Sequence, residues 1–232
     1  MKKYELTAEC KEFLGRKLYR IKALVAFGNV KEGEIGGWIE KKENLSQSGN
    51  AWVSGNARVY GDAEVYGNAM VSGNARVYGD AEVSGDAWVY GNARVSGNAM
   101  VSGNAWVYGN AEVYGNARVY GDAEVSGNAW VSGNARVSGN AWVYGDAEIK
   151  KKTHLLEIGF IGSRDDVTTF FRTKNKEIFV KCGCFSGNID DFEKQVREVH
   201  GEDKHGRVYA LAIAMAKEQI ELDNEDVEEE NE

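Results

Sequence analysis

Several features that would indicate common protein classes are missing from this 232-residue chain. It has no proline, three cysteines (Cys10, Cys182 and Cys184) and three histidines, against 28 glycines. Its first residues, MKKYELTAECKEF, lack the apolar core of a signal peptide, and no apolar run approaches membrane-spanning length. Lysine and arginine form no cluster of the kind that nucleic-acid binding requires. We therefore expect a cytoplasmic protein with reduced thiols, and neither a membrane nor a nucleic acid as partner.

The net charge of −8 owes much to the C-terminal end of the chain. Residues 221–232 read ELDNEDVEEENE, in which eight of the twelve side chains are acidic. A segment with this much like charge and so few apolar residues cannot bury a core. We therefore predict a disordered, solvated tail rather than a binding face.

What the chain has in abundance is a six-residue repeat. Glycine recurs every six residues from Gly49 to Gly145, followed by asparagine or aspartate, alanine, a variable residue, valine, and tyrosine or serine; only the last hexad differs, with Ile149 and Lys150 in the final two positions. Alanine and valine lie two residues apart and therefore point to one side of an extended strand, whereas the variable residue points to the other. Glycine with asparagine or aspartate makes a tight corner between successive strands.

This repeat predicts a solenoid of about six coils over residues 43–150. Three hexads make one triangular coil of 18 residues, and stacked coils pair their strands at a spacing of ~4.8 Å. Alanine and valine then fill the interior, and each backbone group pairs with the coil above or below. We include ENLSQS (43–48) as a degraded first hexad with Leu45 in the alanine slot.

The hexads, such as VSGNAW at 101–106, resemble the hexapeptide repeat of left-handed parallel β-helix proteins. The left hand is an implication of this resemblance, because the usual crossover rule favours the opposite hand. Segment 18–47 resembles the N-terminal cap of bacterial and phage-borne members labelled acyltransferases, and 161–206 resembles a small domain that follows such helices in phage and prophage proteins. The resemblance implies the fold and, as one alternative function, an acyltransferase.

Two regions outside the repeat complete the predicted organisation. Alternation in KLYRIKALVAF indicates short strands, so residues 1–42 are expected to cap one end of the solenoid and to protect its unpaired strand edge. Residues 151–220 contain three predicted strands, LLEIGFIG, DVTTFFRT and EIFVKCGCF, and two predicted helices, IDDFEKQVREVHG and GRVYALAIAMAKEQIE. We predict a mainly β protein: a β cap, a left-handed parallel β-helix and a small α+β C-terminal domain.

The solenoid sequence offers little that indicates catalysis. Its hexads contain no histidine or cysteine, whereas the resemblance implies that an acyltransferase of this fold would use a histidine at a subunit boundary; His154 lies just beyond the last coil. Aspartate alternates with asparagine at corners such as Asp80 and Asp86, and we interpret the two as interchangeable corner formers rather than as paired carboxylates. We therefore predict no catalytic residue and no cofactor.

The C-terminal domain contains a cysteine pair and two histidines that could form a zinc site. Cys182 and Cys184 lie on one predicted strand, and His200 and His205 flank a turn. The C-x-C spacing is shorter than that of structural zinc knuckles, and the histidines lie on a distant segment. We expect packed cysteines, surface histidines and no metal.

A candidate ligand site lies in the same domain. The turn GSRDD (162–166) could cradle an anion in a glycine turn, the alternative being a solvated hairpin. The candidate site residues are Arg164, Arg172 and His205. On the last predicted helix, a packing stripe is expected from Val208, Leu211, Ala212 and Met215.

Because one coil is 18 residues long, the variable residues stack on three faces. The aromatic face stacks Trp52, Met70, Trp88, Trp106, Glu124 and Trp142, and is widened by Tyr90, Tyr108 and Tyr144. The first charged face stacks Arg58, Arg76, Arg94, Glu112, Trp130 and Glu148. The second charged face stacks Glu64, Glu82, Met100, Arg118 and Arg136. A contiguous aromatic patch indicates an oligomer interface or, alternatively, a platform that stacks sugars.

The order of charges along these faces favours an antiparallel homodimer. The second charged face reads Glu-Glu-Met-Arg-Arg in one direction and Arg-Arg-Met-Glu-Glu in the other. Opposite charges would therefore face each other across a two-fold axis, with the aromatic face forming the contact. The family resemblance implies a parallel trimer instead.

Together these features predict a non-enzymatic, self-associating scaffold that presents its C-terminal domain to an unidentified protein or small-molecule partner. Two alternatives stay open. One is a hexapeptide-repeat acyltransferase that uses acyl-CoA. The other is a phage-encoded protein that sequesters a small ligand or inhibits a target.

Overall fold

The structure is a computed structural model that describes residues 2–222. The chain divides into two compact units, Met1–Lys152 and Thr153–Glu232. The predicted acidic tail lies, apart from Glu221 and Leu222, outside the described residues. None of the described helices is long and apolar enough to cross a membrane.

The first unit begins with three longer strands and continues with seventeen strands of two residues each. The longer strands are β1 (Tyr4–Phe13), β2 (Arg16–Ala23) and β3 (Ile35–Ile39), and a 3-10 turn follows at Lys42–Asn44. Strands β4 to β20 each hold the variable residue and the following aliphatic residue of one hexad: Trp52–Val53, Arg58–Val59, Glu64–Val65, Met70–Val71, Arg76–Val77, Glu82–Val83, Trp88–Val89, Arg94–Val95, Met100–Val101, Trp106–Val107, Glu112–Val113, Arg118–Val119, Glu124–Val125, Trp130–Val131, Arg136–Val137, Trp142–Val143 and Glu148–Ile149.

Every third short strand joins the same parallel sheet, so each coil has three sides. One sheet runs β4-β7-β10-β13-β16-β19 and another β6-β9-β12-β15-β18. The third runs β5-β8-β11-β14-β17-β20 and is extended at its N-terminal end by β3, β2 and β1. Paired residues lie one coil apart, as Trp88 does opposite Trp106. This register confirms the predicted mainly β solenoid of about six turns, with the variable residues on three faces.

Small side chains and glycine corners make this stacking possible. The alanines and valines of the hexads are buried, and backbone amides pair from coil to coil, as the Trp88 N–H donates to the Ala105 carbonyl at 2.9 Å. Gly85 has a φ of +67°, and a Cβ at this position would lie 2.9 Å from the backbone nitrogen of Gly103. Glycine is therefore required at the corner both by its conformation and by the lack of space.

The N-terminal strands form a cap over the first coil. Strand β2 pairs antiparallel with β1 and β3, whereas β3 pairs in parallel with β5 and sets Trp38 opposite Arg58. Trp52 lies beneath the cap, with its ring centroid 6.4 Å from that of Tyr4 and 5.5 Å from that of Phe27. The cap therefore encloses the first tryptophan of the aromatic face.

The predicted assignment of Leu45 to the alanine slot of its hexad is wrong by two residues. Leu45 forms a parallel bridge with Val65, and the Ser46 N–H donates to the Val65 carbonyl at 2.9 Å. Leu45 therefore occupies the valine slot, not the alanine slot. The side chain of Asn44 makes up for the shift by donating to the Ala63 carbonyl at 2.8 Å. A side-chain amide replaces backbone pairing here, which the apolar pattern of the segment does not reveal.

The second unit is a four-stranded antiparallel sheet with two helices, and a 3-10 turn at Lys152–His154 precedes it. The sheet order is β21 (Leu155–Ile161), β22 (Asp166–Arg172), β23 (Ile178–Cys182) and β24 (Phe185–Asn188), followed by α1 (Ile189–His200) and α2 (Lys204–Gln219). The predicted small α+β domain is confirmed. The segment EIFVKCGCF was expected to be one strand, but Gly183, at a φ of +54°, turns the chain between β23 and β24.

Helix α2 packs on the sheet through a different stripe from the one predicted. Leu211 and Met215 are 71% and 53% exposed, so their assignment to the packing stripe is wrong. Ala212 is buried as predicted, and it packs in the core with Tyr209, Ile213, Ala216 and Ile220. The stripe is rotated because Tyr209 inserts its large ring between α1 and the sheet, where it contacts Phe192 edge to face at 5.5 Å.

Candidate functional site

The aromatic face presents stacked tryptophans on one side of the solenoid. The rings of Trp88 and Trp106 are 44% and 41% exposed. They stack with their centroids 5.8 Å apart and an interplanar angle of 19°. Trp142 is equally exposed and lies two strands further along the same sheet. Because the parallel strands fix the backbone spacing, the positions of these rings are set by the fold and form a rigid surface.

Tyrosines widen this surface as the repeat predicts. The rings of Tyr90 and Tyr108 stack with centroids 4.9 Å apart and almost parallel planes, and Tyr90 and Trp106 form a T-shaped pair with centroids 6.4 Å apart. The Tyr108 hydroxyl donates to the carboxylate of Glu124 at 3.1 Å. Partial burial raises the pKa of both tyrosines above its ordinary value. Glu124 is therefore held by a neighbouring hydroxyl, although it interrupts the tryptophan ladder.

Trp52 does not belong to the exposed surface. Its side chain is fully buried under the N-terminal cap, so its assignment to an exposed interface or platform is wrong. The exposed aromatic face therefore begins at Met70, which pairs with Trp88 in the ladder and is half-buried. A tryptophan in the same hexad position is buried or exposed according to whether a cap strand covers its coil.

The first charged face is partly covered and partly paired within the chain. The guanidinium groups of Arg58 and Arg76 lie 4.3 and 5.1 Å from the ring centroid of Phe13 in the cap. Burial, followed by the neighbouring charge of Arg76, lowers the pKa of Arg58. Arg94 makes an ion pair of 2.9 Å with Glu112 on the next coil. Contacts within the chain therefore reduce the repulsion between the stacked charges of this face, without a second subunit.

The second charged face keeps its charges segregated. Glu64 stacks on Glu82 at the N-terminal end, and Arg118 stacks on Arg136 at the other end, with Met100 between the two pairs. Like charges on neighbouring parallel strands repel each other. This face therefore has an electrostatic polarity along the solenoid axis, as predicted from the spacing.

The corners carry asparagine ladders that the sequence interpretation missed. The side-chain N–H of Asn92 donates to Asn110 at 3.1 Å, and that of Asn110 donates to Asn128 at 3.1 Å. Where aspartate occurs in a ladder it accepts from the preceding asparagine, as Asp86 does from Asn68 at 2.9 Å. A carboxylate accepts but cannot donate, so the two residues are not interchangeable. The 18-residue spacing of asparagines was the available signal.

In the second unit, a cavity of 180 Å³ opens between α1, the β21–β22 turn and the β23–β24 turn. Its apolar wall includes Phe185, Phe192 and Val196. Its polar lining includes Arg164 and Tyr209. The lining therefore combines aromatic side chains with a few polar groups, as small-molecule sites do.

A chain of hydrogen bonds leads to this cavity from the sheet. The Thr168 hydroxyl donates to the Cys182 sulfur at 3.2 Å, and the Cys182 thiol donates to the Tyr209 hydroxyl at 3.4 Å. Burial, followed by the hydrogen bond with Cys182, raises the pKa of Tyr209. The hydroxyl of Tyr209 therefore stays protonated at neutral pH.

The predicted ligand residues of this unit do not converge. Arg164 lines the cavity, and His205 lies behind His200 with ring centroids 5.7 Å apart. Arg172 is buried at the other end of β22, opposite Ile178, so its assignment to the site is wrong. Arg172 is close to the GSRDD turn in sequence, but the extended strand β22 places it at the opposite end of the strand from that turn.

Cys182, Cys184 and the three histidines lie in the second unit, whereas Cys10 lies in β1 of the first. Cys184 is exposed, so the expectation of a packed cysteine is wrong at this position, and its sulfur accepts a hydrogen bond from Arg164 at 3.3 Å. Cys182 bonds to Tyr209 and Thr168 instead. Within residues 2–222, no three His, Cys, Asp or Glu side chains are grouped to hold a metal. His154 is buried at the start of the unit.

Comparison with known families supports the repeat assignment. The model of the YdcK beta solenoid repeat matches five segments of the chain, residues 63–79, 75–91, 93–109, 111–127 and 129–145. These segments include most of the stacked coils described above. No curated protein matches the chain. The chain is thus a β-solenoid repeat protein, similar in its coils to the YdcK repeat.

Proposed function

We propose that this protein is a self-associating scaffold in which a second copy of the chain docks on the aromatic face, so that the second unit is presented in more than one copy. The observation that carries the proposal is the exposed stack of Trp88 and Trp106, flanked by Tyr90 and Tyr108. Contiguous exposed aromatic surface is typical of protein interfaces, where tryptophan and tyrosine are enriched among the few residues that contribute most to binding.

The rigidity of this surface favours association. The rings are ordered by stacking before any partner arrives, so a partner does not have to immobilise them. Glu124 is the one charged residue in the ladder, and its hydrogen bond to Tyr108 lowers the cost of covering it. An aromatic contact on one sheet leaves the other two faces of the solenoid accessible.

The proposed orientation is antiparallel, with the two-fold axis between β10 and β13. Trp88 of one copy then meets Trp106 of the other. The buried position of Trp52 changes the contact at the ends, because Trp142 meets the cap around Phe27 rather than a bare tryptophan. The charge polarity of the second charged face supports the same orientation, since antiparallel copies bring opposite ends side by side.

Solution mass measured by light scattering tests the association. We expect twice the chain mass of 25.6 kDa for the wild type. Trp88→Lys combined with Trp106→Lys should give the monomer mass, because lysine removes the aromatic contact and places no like charge beside Glu124. The matched control is Trp130→Lys, a tryptophan of similar exposure on another sheet, between Glu112 and Glu148. A monomeric wild type, or a double variant that keeps the dimer mass, would contradict the proposal.

Cross-linking tests the orientation in a chain whose three native cysteines are changed to serine. Ser72→Cys chains mixed with Ser126→Cys chains should form a disulfide-linked dimer, because these positions are related by the proposed two-fold axis. Ser72→Cys chains alone should not cross-link. The reverse pattern, or a mass three times that of the chain, would indicate the parallel arrangement.

A further inference from the structure

The cavity of the second unit has the size and the lining of a site for one small ring. Its volume of 180 Å³ is close to that of an apolar cavity of about 150 Å³ that accepts benzene. Phe192 and Val196 are buried in the core of the unit and form the fixed side of the cavity. Phe185, which is half-buried, lies against Phe192 with ring centroids 4.9 Å apart. A flat apolar group would therefore find aromatic surface on entering the cavity.

A cation without a carboxylate partner lies at the rim. The Arg164 guanidinium donates to the Cys184 sulfur at 3.3 Å. A thiol is a weak acceptor, and within residues 2–222 Arg164 makes no ion pair. Guanidinium groups bind carboxylates through two parallel hydrogen bonds. Most of the hydrogen-bonding capacity of this group is therefore available to an anion.

A second donor is fixed on the inner side of the cavity. Tyr209 is 7% exposed, and its hydroxyl accepts the hydrogen bond of the Cys182 thiol. This arrangement leaves the phenolic proton to be donated to another acceptor. The hydroxyl fills the space beside Gly162 that a side chain would take, since a Cβ built on this glycine would lie 1.8 Å from it. The position of this donor is thus set by the fold.

Asp166 also lines the cavity and must be compatible with an anionic ligand. Its carboxylate accepts a hydrogen bond from the Val167 N–H at 2.8 Å, and the residue is exposed. Water screens an exposed charge of this kind strongly. Arg164 is exposed as well, so the two charges are screened alike, and the anion is favoured by the hydrogen bonds that the guanidinium can donate.

From this geometry we propose that the second unit binds a small aromatic carboxylate, with its ring between Phe185, Phe192 and Val196 and its carboxylate between the Arg164 guanidinium and the Tyr209 hydroxyl. The site differs from the proposed self-association in place and in chemistry. It assigns a ligand class to the unit that the scaffold would present.

Calorimetric titration of the full-length protein with three probes tests the proposal. Benzoate carries both the ring and the carboxylate, benzyl alcohol keeps the ring alone, and acetate keeps the carboxylate alone. We expect benzoate to bind with a Kd on the order of 1 mM, as suits a fragment of this size. Each of the other two probes should bind at least about tenfold more weakly, because benzyl alcohol lacks the carboxylate and acetate lacks the ring.

Variants then locate the binding. Arg164→Gln, on an exposed turn, should weaken benzoate binding about tenfold or more, and Tyr209→Phe about fivefold, because each removes a donor to the carboxylate. The matched control is Arg197→Gln, which changes an exposed arginine of α1 that pairs with Glu193. Trp88→Lys serves as the control for stacking on the aromatic face. Both controls should bind benzoate as the wild type does.

Several outcomes would overturn the proposal. Equal affinity for benzoate and benzyl alcohol would show that Arg164 recognises no anion. Unchanged binding in Arg164→Gln, with the unfolding temperature of the helices preserved, would place the ligand elsewhere. The proposal is also wrong if no heat is detected at 20 mM benzoate, which is about twentyfold above the expected Kd.

Discussion

The two units of this chain build their interiors in different ways. In the solenoid, the valine of each hexad pairs with an aliphatic residue one coil away, so one kind of contact is repeated along the coils. In the second unit, each core residue has partners that occur once, as Tyr209 has with Phe192 and Cys182. A repeat therefore produces broad surfaces, whereas the aperiodic fold brings single groups together from distant segments into a cavity.

Tryptophan substitutions should give the largest change in the free energy of unfolding. They compare the capped end of the solenoid with its repeated coils. Trp52→Ala should lower the free energy of unfolding by about 3–5 kcal/mol, because it leaves a large cavity beneath the cap. Trp130→Ala should change it by less than about 1 kcal/mol, because that ring is already 38% exposed. All six tryptophans lie in the first unit, so fluorescence during urea unfolding reports on the solenoid. Equal losses in the two variants would contradict the burial of Trp52.

A pair of glycines compares the two units directly. Gly85→Ala should cost about 2–4 kcal/mol, since it strains a left-handed corner and presses a Cβ against the backbone of Gly103, which cannot move without displacing a coil. Gly183→Ala should cost about 1 kcal/mol, because its nearest neighbour is the flexible end of Arg164 at 3.4 Å. Unfolding followed by fluorescence reports the first variant, and circular dichroism at 222 nm reports the helices of the second unit. A larger loss in Gly183→Ala would reverse the comparison.

The corner ladders should show an asymmetry between two conservative changes. Asn110→Asp removes the bond donated to Asn128 and should cost about 0.5–1 kcal/mol. Asp86→Asn keeps the acceptor for Asn68 and should leave the stability unchanged. Both variants are compared by urea unfolding at pH 7 with fluorescence detection. Equal effects would mean that asparagine and aspartate are interchangeable at the corners after all.

The smallest effect concerns pH, and the pH range in which it occurs differs between the units. Burial lowers the pKa of Lys3 to about 8 from the ordinary 10.5, so the unfolded chain binds this proton more tightly than the folded one. The stability of the solenoid should therefore rise as the pH increases from 8 to 9.5, by a fraction of 1 kcal/mol. Lys3→Met should reduce the rise without abolishing it, because burial also lowers the pKa of Lys11 in the same unit to about 8.

In the second unit the corresponding effect lies in acid. Lys217 holds the pKa of Glu193 below its ordinary value, so this stabilisation is present above pH 4.5 and is lost as the pH falls through the folded value. Unfolding of each unit is followed across pH by its own probe. A solenoid that loses stability between pH 8 and 9.5 would contradict the assignment to Lys3.

The local sequence determined much of the first unit. A period of six with glycine at the corners is satisfied by few structures, because alanine and valine two residues apart can be buried together only if the coils stack. The three faces followed from the 18-residue coil, and Trp88 does lie opposite Trp106. The strands and helices of the second unit were also predicted from their periodicity, apart from the turn at Gly183. The antiparallel dimer, the acyltransferase alternative and a phage origin stay predictions.

Tertiary structure determined which side chains are buried and which converge, because the six-residue period does not specify either. Trp52 is buried and Trp88 exposed at the same position of the hexad, because only the first is covered by the N-terminal cap. Leu45 shifts by two residues because the Asn44 amide takes over backbone pairing. Arg172 is the last residue of β22, whereas Arg164 lies in the turn before this strand, so the length of the extended strand separates the two side chains. A periodic pattern specifies neighbours at one fixed separation along the chain, whereas burial and side-chain convergence depend on contacts between segments that share no period.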